Sequence, residues 1–204
     1  MRVLPYGERA VLAEPGDLDA VLALQRALAA APPTGVEEWV PAATTMLVRF
    51  DPALTTAARV VDALRALPPV EPAATTATTV DVPVVYDGDD LDDIAAFVGC
   101  TRSEVAARHS APTYTVAFCG FTPGFGYLAG GDPALAVPRL ATPRTRVPAG
   151  SVAIADVFTG VYPTATPGGW RLLGRTPLAL WDATRDPPAL LSPGTRVRFY
   201  VVDR

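Results

Sequence analysis

Helical periodicity runs through the first half of this 204-residue chain and stops at Pro112. Beyond it the apolar residues come in short runs, "TYTVAFCGF", "GSVAIAD", "GWRLLGR", "LALWD" and "RVRFYVV", separated by proline and glycine turns. Without an i, i+3, i+4 stripe such a segment has no helical face to bury. The spacing therefore predicts a β-barrel or sandwich of five or more strands. Half of the residues are apolar and 19% are charged, enough for a real core and too few charges for a disordered chain.

The first third reads as a small α+β unit. "RAVLAE" (Arg9–Glu14) predicts a strand, and Asp17–Ala30 an amphipathic helix with acids in its first turn. "VEEWV" and "TMLVRF" predict a hairpin, and Thr55–Leu67 a second helix. The order β-α-β-β-α, followed by a possible strand, is the ferredoxin-like arrangement. "PPVEPAATTATT" (Pro68–Thr79) has the composition of a linker. The expected organisation is thus an α+β ferredoxin-like domain over residues 1–78 and an all-β barrel domain over residues 79–204. Within the latter, "VDVPVVYDG" predicts a strand and "DDLDDIAAFVG" a short helix that Gly99 can cap. In "TRSEVAARHS", Thr101 and Glu104 have capping-box spacing, which puts His109 at a helix end.

The stretch Arg139–Thr176 holds Arg139, Arg144, Arg146, Arg171 and Arg175 against one acid, Asp156. Its local charge is +5 − 1 = +4, inside a chain of net charge −4. That overall balance argues against nucleic acid as a partner. Arginine binds carboxylate and phosphate through paired hydrogen bonds and stays charged, so the group is a candidate site for a small anion. The alternative is solvated loop charges paired with acids elsewhere. Three glycine-rich loops, Cys119–Gly131, Pro148–Val152 and Thr166–Trp170, have amides able to cradle an oxyanion or simply to form barrel turns. None fits a nucleotide-binding pattern.

His109, the one histidine, is open to an acid–base role or a structural one at a helix end. No nucleophile elbow surrounds Ser151. Phe121, Phe125, Tyr127, Tyr162 and Trp170 either line an apolar wall or fill the barrel. Every basic residue is arginine, so lysine chemistry is excluded. Cys100 and Cys119 suit a reducing compartment and, with one histidine, form no zinc pattern. The first residues lack a signal-peptide core, and no apolar run has membrane-spanning length, which points to a cytoplasmic protein without a membrane partner.

The blocks "YGERAVLAE", "VPAATTMLVRFDP", "VPVVYDGDDLDDIA", "HSAPTY", "GFTPGFGYL", "PRLATPRTRVPAGSVAIAD" and "TGVYPTATPGGWRLLGRTP" together resemble the family of B-type subunits of 5-oxoprolinase, also called allophanate hydrolase subunit 1 or KipI-like. The resemblance implies a cyclophilin-like barrel after the α+β domain. It also implies two partners, a homologous C-type subunit (allophanate hydrolase subunit 2-like) and an A-type subunit, and ATP-dependent opening of 5-oxoproline to glutamate by the assembled complex. No cofactor is then bound by this chain alone, ATP being required by the complex. Allophanate or urea chemistry, and inhibition of a sensor histidine kinase, are the alternatives the family offers. On this resemblance His109, Arg144 and Arg146 are expected to be catalytic. Arg139, Tyr127, Gly150, Ser151, Tyr162, Gly168, Gly169, Trp170 and Arg175 are expected to bind substrate. Two positions depart from the family pattern: Gly126 replaces a proline, and Phe158 stands where a glutamine is common.

Overall fold

A computed structural model describes residues 1–70 and 78–203. The chain forms two compact units, Met1–Thr75 and Thr76–Arg204. Residues 71–77 of the expected linker lie outside the described residues.

The first unit runs β1 (Arg2–Pro5), β2 (Ala10–Glu14), α1 (Leu18–Ala30), β3 (Val36–Pro41), β4 (Met46–Phe50) and α2 (Ala57–Ala66). Both helices start where a side chain caps them: Asp17 accepts from the Ala20 amide and Thr56 from the Arg59 amide. The antiparallel sheet has the order β1-β2-β4-β3. Alternate residues Val11, Ala13, Met46, Val48 and Phe50 pack against Val21, Leu24 and Leu28 of α1 and Val60 and Leu64 of α2. The β-α-β-β-α core is present as β2 to α2. The ferredoxin-like arrangement wants its fourth strand after the second helix, whereas here β1 supplies the outer strand from ahead of the core.

The second unit opens with β5 (Thr79–Val84), α3 (Leu91–Val98) and α4 (Arg102–Ser110), then β6 (Thr113–Cys119) and β7 (Gly126–Ala129). After a 3-10 turn at Pro133–Leu135 come β8 (Arg144–Val147), β9 (Ser151–Ala155), β10 (Phe158–Val161), β11 (Thr166–Gly168), β12 (Arg171–Arg175) and β13 (Arg196–Val201). Seven strands form one sheet in the order β12-β9-β10-β7-β6-β13-β5. Its two edges meet: the amides of Val85 and Arg175 each donate to the other's carbonyl at 2.9 Å. The sheet is therefore a nearly closed barrel, consistent with the cyclophilin-like barrel expected.

The unit is not all-β. Helices α3 and α4 contribute Leu91, Ile94, Ala95 and Val105 to a cluster with Leu135, Val137, Ile154 and Leu173. Their signals are local. Gly99 ends α3 in the left-handed conformation, and Thr101 and Glu104 form the capping box of α4. Val82, Val84, Tyr114, Val116, Leu128, Val152, Val161, Val197 and Phe199 build the barrel's main cluster. "LALWD" is not a strand; Trp181 makes only an isolated bridge to Ala189. Conversely, β7, β8, β10 and β11 emerge from segments whose glycines and prolines read as turns.

The seam requires glycine at Gly174. A Cβ there would collide with the Val85 carbonyl oxygen. Gly174→Ala is expected to lower unfolding free energy by about 3 kcal/mol in urea titrations. Gly120→Ala, whose nearest neighbour is a Tyr127 ring atom at 3.9 Å, should change it by no more than about 0.5 kcal/mol. Equal midpoints for the two variants would contradict a sterically closed seam.

Candidate functional site

Strands β8 and β11 stand apart from the barrel sheet as a two-stranded ribbon, in which Arg144 faces Gly168. Pro143 and Pro148 flank β8 and stiffen both of its ends. Val147 of the ribbon packs in a cluster with Phe125, Ala153, Ala155, Tyr162, Trp170 and Leu172.

The acidic run Asp87–Asp93 meets much of the arginine group. Arg144 pairs with Asp90 at 2.7 Å, Arg175 with Asp87 at 3.1 Å, and Arg171 with Asp93 at 3.8 Å. For Arg171 and Arg175 the structural alternative holds: they are charges paired across the fold, and Arg175 sits on the barrel seam. Arg139 and Arg146 have no ion pair among the described residues, and both are exposed.

Arg144 is held by one arm. Its Nη2 donates to Asp90 Oδ1 at 2.7 Å, while Nη1 is buried and has no protein partner among the described residues. The hydrogen bond to Asp90 raises the Arg144 pKa further above its ordinary value, keeping the guanidinium charged. Tyr162 lies close to this arginine. Burial raises its phenol pKa, opposed by a hydrogen bond from the Trp170 amide and by the positive charges of Arg139 and Arg144. A Cβ on Gly168 would strike the Tyr162 hydroxyl, so glycine there lets the ribbon close over the phenol. Arg139 stands over the Trp170 ring, 6.0 Å from its centroid, within cation–π range.

Five expected positions thus come together: Arg139, Arg144, Tyr162, Gly168 and Trp170. Tyr127 joins them through its edge-to-face contact with Trp170 at 5.4 Å. Tyr162 and Trp170 are only 1% and 5% exposed, so they form the floor of this face and not its rim. Arg146 is two residues from Arg144 on β8 and shares its side of the strand.

Other expected positions do not contribute as foreseen. The Gly150 amide donates to the Tyr162 carbonyl at 2.8 Å and the Ser151 amide to the Pro148 carbonyl at 3.3 Å. Both are spent on backbone and offer no oxyanion cradle. The Gly169 carbonyl accepts from the Leu140 amide at 2.8 Å, tying down the segment that carries Arg139.

His109 does not join the arginine face. It is fully buried at the end of α4, its ring 4.6 Å from that of Phe199. Thr159 Oγ1 gives its proton to the Ala153 carbonyl at 2.9 Å, so the 2.8 Å contact between Thr159 Oγ1 and His109 Nε2 needs an Nε2–H donor. His109 Nδ1 then accepts from the Tyr86 hydroxyl at 2.7 Å. Both ring nitrogens are satisfied in the neutral form, and burial lowers the pKa to about 3. The geometry supports the structural reading of His109 and gives no support to an acid–base role.

Two residues outside the expected catalytic and substrate-binding set lie at this face, of which Phe121 was already a candidate for an apolar wall. Asp90 is legible in the sequence only as an acid at a helix start; the signal that singles it out is the excess of acids in Asp87–Asp93 facing the arginine-rich stretch. Phe121 is 60% exposed with φ of 71°, and its ring meets those of Phe125 and Tyr162 edge to face. Both departures from the family pattern lie nearby. Gly126 is buried in β7, where a Cβ would come within 3.3 Å of Val116. Phe158 packs between Phe118 and Tyr127, with centroids 5.7 Å from each.

Among the described residues, no group of three or more His, Cys, Asp or Glu side chains is placed to hold a metal ion. No helix among them is long and apolar enough to cross a membrane.

A nearly closed barrel with two packed helices, and an outer ribbon bearing a one-armed arginine, define a barrel module that shares its chain with a small α+β unit. Residues 1–191 match the family described as carboxyltransferase domain, subdomain C and D, and the chain belongs to that family. The resemblance to the B-type subunit of 5-oxoprolinase is borne out. Curated relatives so described, from Escherichia coli O157:H7 and Bacillus subtilis (strain 168), are 51% and 46% identical over 123 residues, 59% of this chain. Those stretches are 56% and 51% of the respective relatives, so the chain spans about half the length of the curated relatives it matches. The crystal structure of a conserved uncharacterized protein from Pyrococcus horikoshii is 35% identical, with all of this chain and 98% of that one covered and a TM-score of 0.60. The urea amidolyase of K. lactis shares the fold alone: 20% identity, TM-score 0.79, 99% of this chain against 16% of that one.

The buried histidine makes stability pH-dependent with a definite sign. Its folded-state pKa of about 3 lies below the ordinary 6.5, so protonation favours the unfolded chain. Its contribution is complete above pH 6.5 and is lost as pH falls toward 3. Denaturant titrations should show wild type losing about 1.4 kcal/mol per pH unit more than His109→Gln within that window. Parallel pH profiles would contradict a neutral buried imidazole.

Proposed function

We propose that this chain acts as the B-type subunit of a 5-oxoprolinase complex, sharing one composite site with a homologous C-type subunit and drawing on an A-type subunit. The complex opens the lactam of 5-oxoproline to glutamate with hydrolysis of ATP. The observation that carries this reading is the one-armed Arg144. Its buried Nη1 has donors without a protein partner among the described residues, with Arg139 and Arg146 as further cations. Such a set matches the carboxylate of 5-oxoproline or the oxyanion that develops when its amide carbon becomes tetrahedral. The names of the curated relatives support the same substrate.

In this reading Arg144 and Arg139 hold the anion, Arg146 adds charge, and Tyr127 and Phe121 border the apolar part of the substrate. The residues here do not fit a nucleotide: the chain has no phosphate-binding loop, and the Gly150 and Ser151 amides are already spent. ATP therefore belongs to a partner. The buried floor and exposed rim suit a half-site that a second barrel completes. The family description and the urea amidolyase fold favour one second reading, transfer of a carboxyl group, in which the same arginines hold the carboxylate.

The test is ATP-dependent glutamate release from 5-oxoproline by the chain alone and with its A-type and C-type partners. Release is expected only from the full mixture. A stable complex without release would move the reading to the carboxyl-transfer chemistry. In the active mixture, Arg139→Ala should raise KM for 5-oxoproline about tenfold with an unchanged melting temperature. An unchanged KM would remove Arg139 from the site.

A further inference from the structure

Asp90 has a 6% exposed side chain and is fixed from several directions. Its Oδ2 accepts from the Leu172 amide at 2.7 Å. Its own amide donates to the Leu172 carbonyl at 3.3 Å, and its carbonyl accepts from the Ile94 amide at 2.9 Å at the start of α3. Only Oδ1 remains for Arg144, at 2.7 Å. A carboxylate with both oxygens free takes an arginine by two parallel bonds, through both terminal nitrogens or through Nε and one of them. Here the Leu172 amide holds back one oxygen, so the grip is single and the donors of Arg144 Nη1 are left over.

We infer that Asp90 is the positioning residue of the site: through a one-point bond it fixes the direction of the Arg144 guanidinium and leaves Nη1 to meet an anionic oxygen of the substrate. The inference rests on the reading of Arg144 as the anion-holding group. It assigns to Asp90 a role beyond closing the barrel seam. The relevant class of ligand is a carboxylate or an oxyanion of similar size, because the unspent donors belong to a single guanidinium arm.

A double-mutant cycle tests it in the assembled complex, with 5-oxoproline and ATP as substrates. Asp90→Asn, Arg144→Gln and the double variant are compared for KM of each substrate and for melting temperature. Asp90→Asn is expected to raise KM for 5-oxoproline about tenfold, leaving KM for ATP unchanged. If Asp90 acts through Arg144, the double variant should show the KM of Arg144→Gln alone. Additive effects on KM, or a fall in kcat with the melting temperature and no change in KM, would make Asp90 purely structural and overturn the inference. Asp90→Glu keeps the charge but lengthens the arm by one methylene. It should raise KM severalfold, and it stands in if Asp90→Asn does not fold. Wild-type KM in the folded Asp90 variants also overturns the inference. If Arg144→Gln itself leaves KM unchanged, it is the underlying reading of the anion site that fails.

Discussion

The barrel depends on a seam between the segment after β5 and the edge of β12, and the carboxylate of Asp90 is its anchor. Beyond the paired bonds of Val85 and Arg175, the Gly88 amide donates to the Leu173 carbonyl at 3.1 Å, and Asp90 grips Leu172 through both its backbone and its side chain. Closing a sheet into a barrel removes two open edges, but it asks two backbones to approach without side chains between them. Gly174 and Gly88 meet that demand: a Cβ on either would run into the backbone opposite. Because Asp90 also holds Arg144, the geometry of the arginine face follows from barrel closure.

The same closure explains the charge pattern. Along the sequence the arginines of Arg139–Thr176 look like an excess of +4, and the acids of Asp87–Asp93 look like helix-start charges favoured by the α3 dipole. In the fold they face one another, and much of the excess is spent in pairing. What distinguishes Arg144 from Arg171 and Arg175 is a buried arm with an incomplete set of partners. An exposed ion pair contributes little, whereas a guanidinium held at one arm in a low-dielectric surround is directional.

Local signals were legible in the sequence and long-range ones were not. The helices, the capping box of Thr101 and the Gly99 end of α3 follow from residues within one turn, and β9, β12 and β13 from apolar runs. Strands β7, β8, β10 and β11 are three or four residues long and contain or border glycine and proline; their strand character comes from neighbours, not propensity. "LALWD" shows the converse, an apolar run with no ladder to join. At the site, Arg139 and Arg144 were legible as part of an arginine group among proline and glycine turns, while Tyr127, Tyr162 and Trp170 were singled out by the family resemblance, since the residues alone left them equally able to fill the barrel. Asp90 was not, since its partner Arg144 lies 54 residues away. The chemistry expected of His109 followed from its residue type alone; its neutrality is set by burial and its tautomer by Thr159, 50 residues on.

The order of strands in the barrel has a consequence for how the chain is made. β5 is the first barrel strand to be synthesised, and its neighbour in the sheet is β13, the last, which runs parallel to it. The paired residues Asp81 and Arg198 are 117 positions apart. At ribosomal rates of roughly 5–20 residues per second, β5 waits on the order of ten seconds for its partner. Throughout that interval Val80, Val82 and Val84, which belong to or pack against the barrel core, have no strand to pair with along the β13 side. A polypeptide of this topology cannot complete its barrel until β13 has been made. Until then its valine-rich leading strand keeps one edge unpaired and open to other chains.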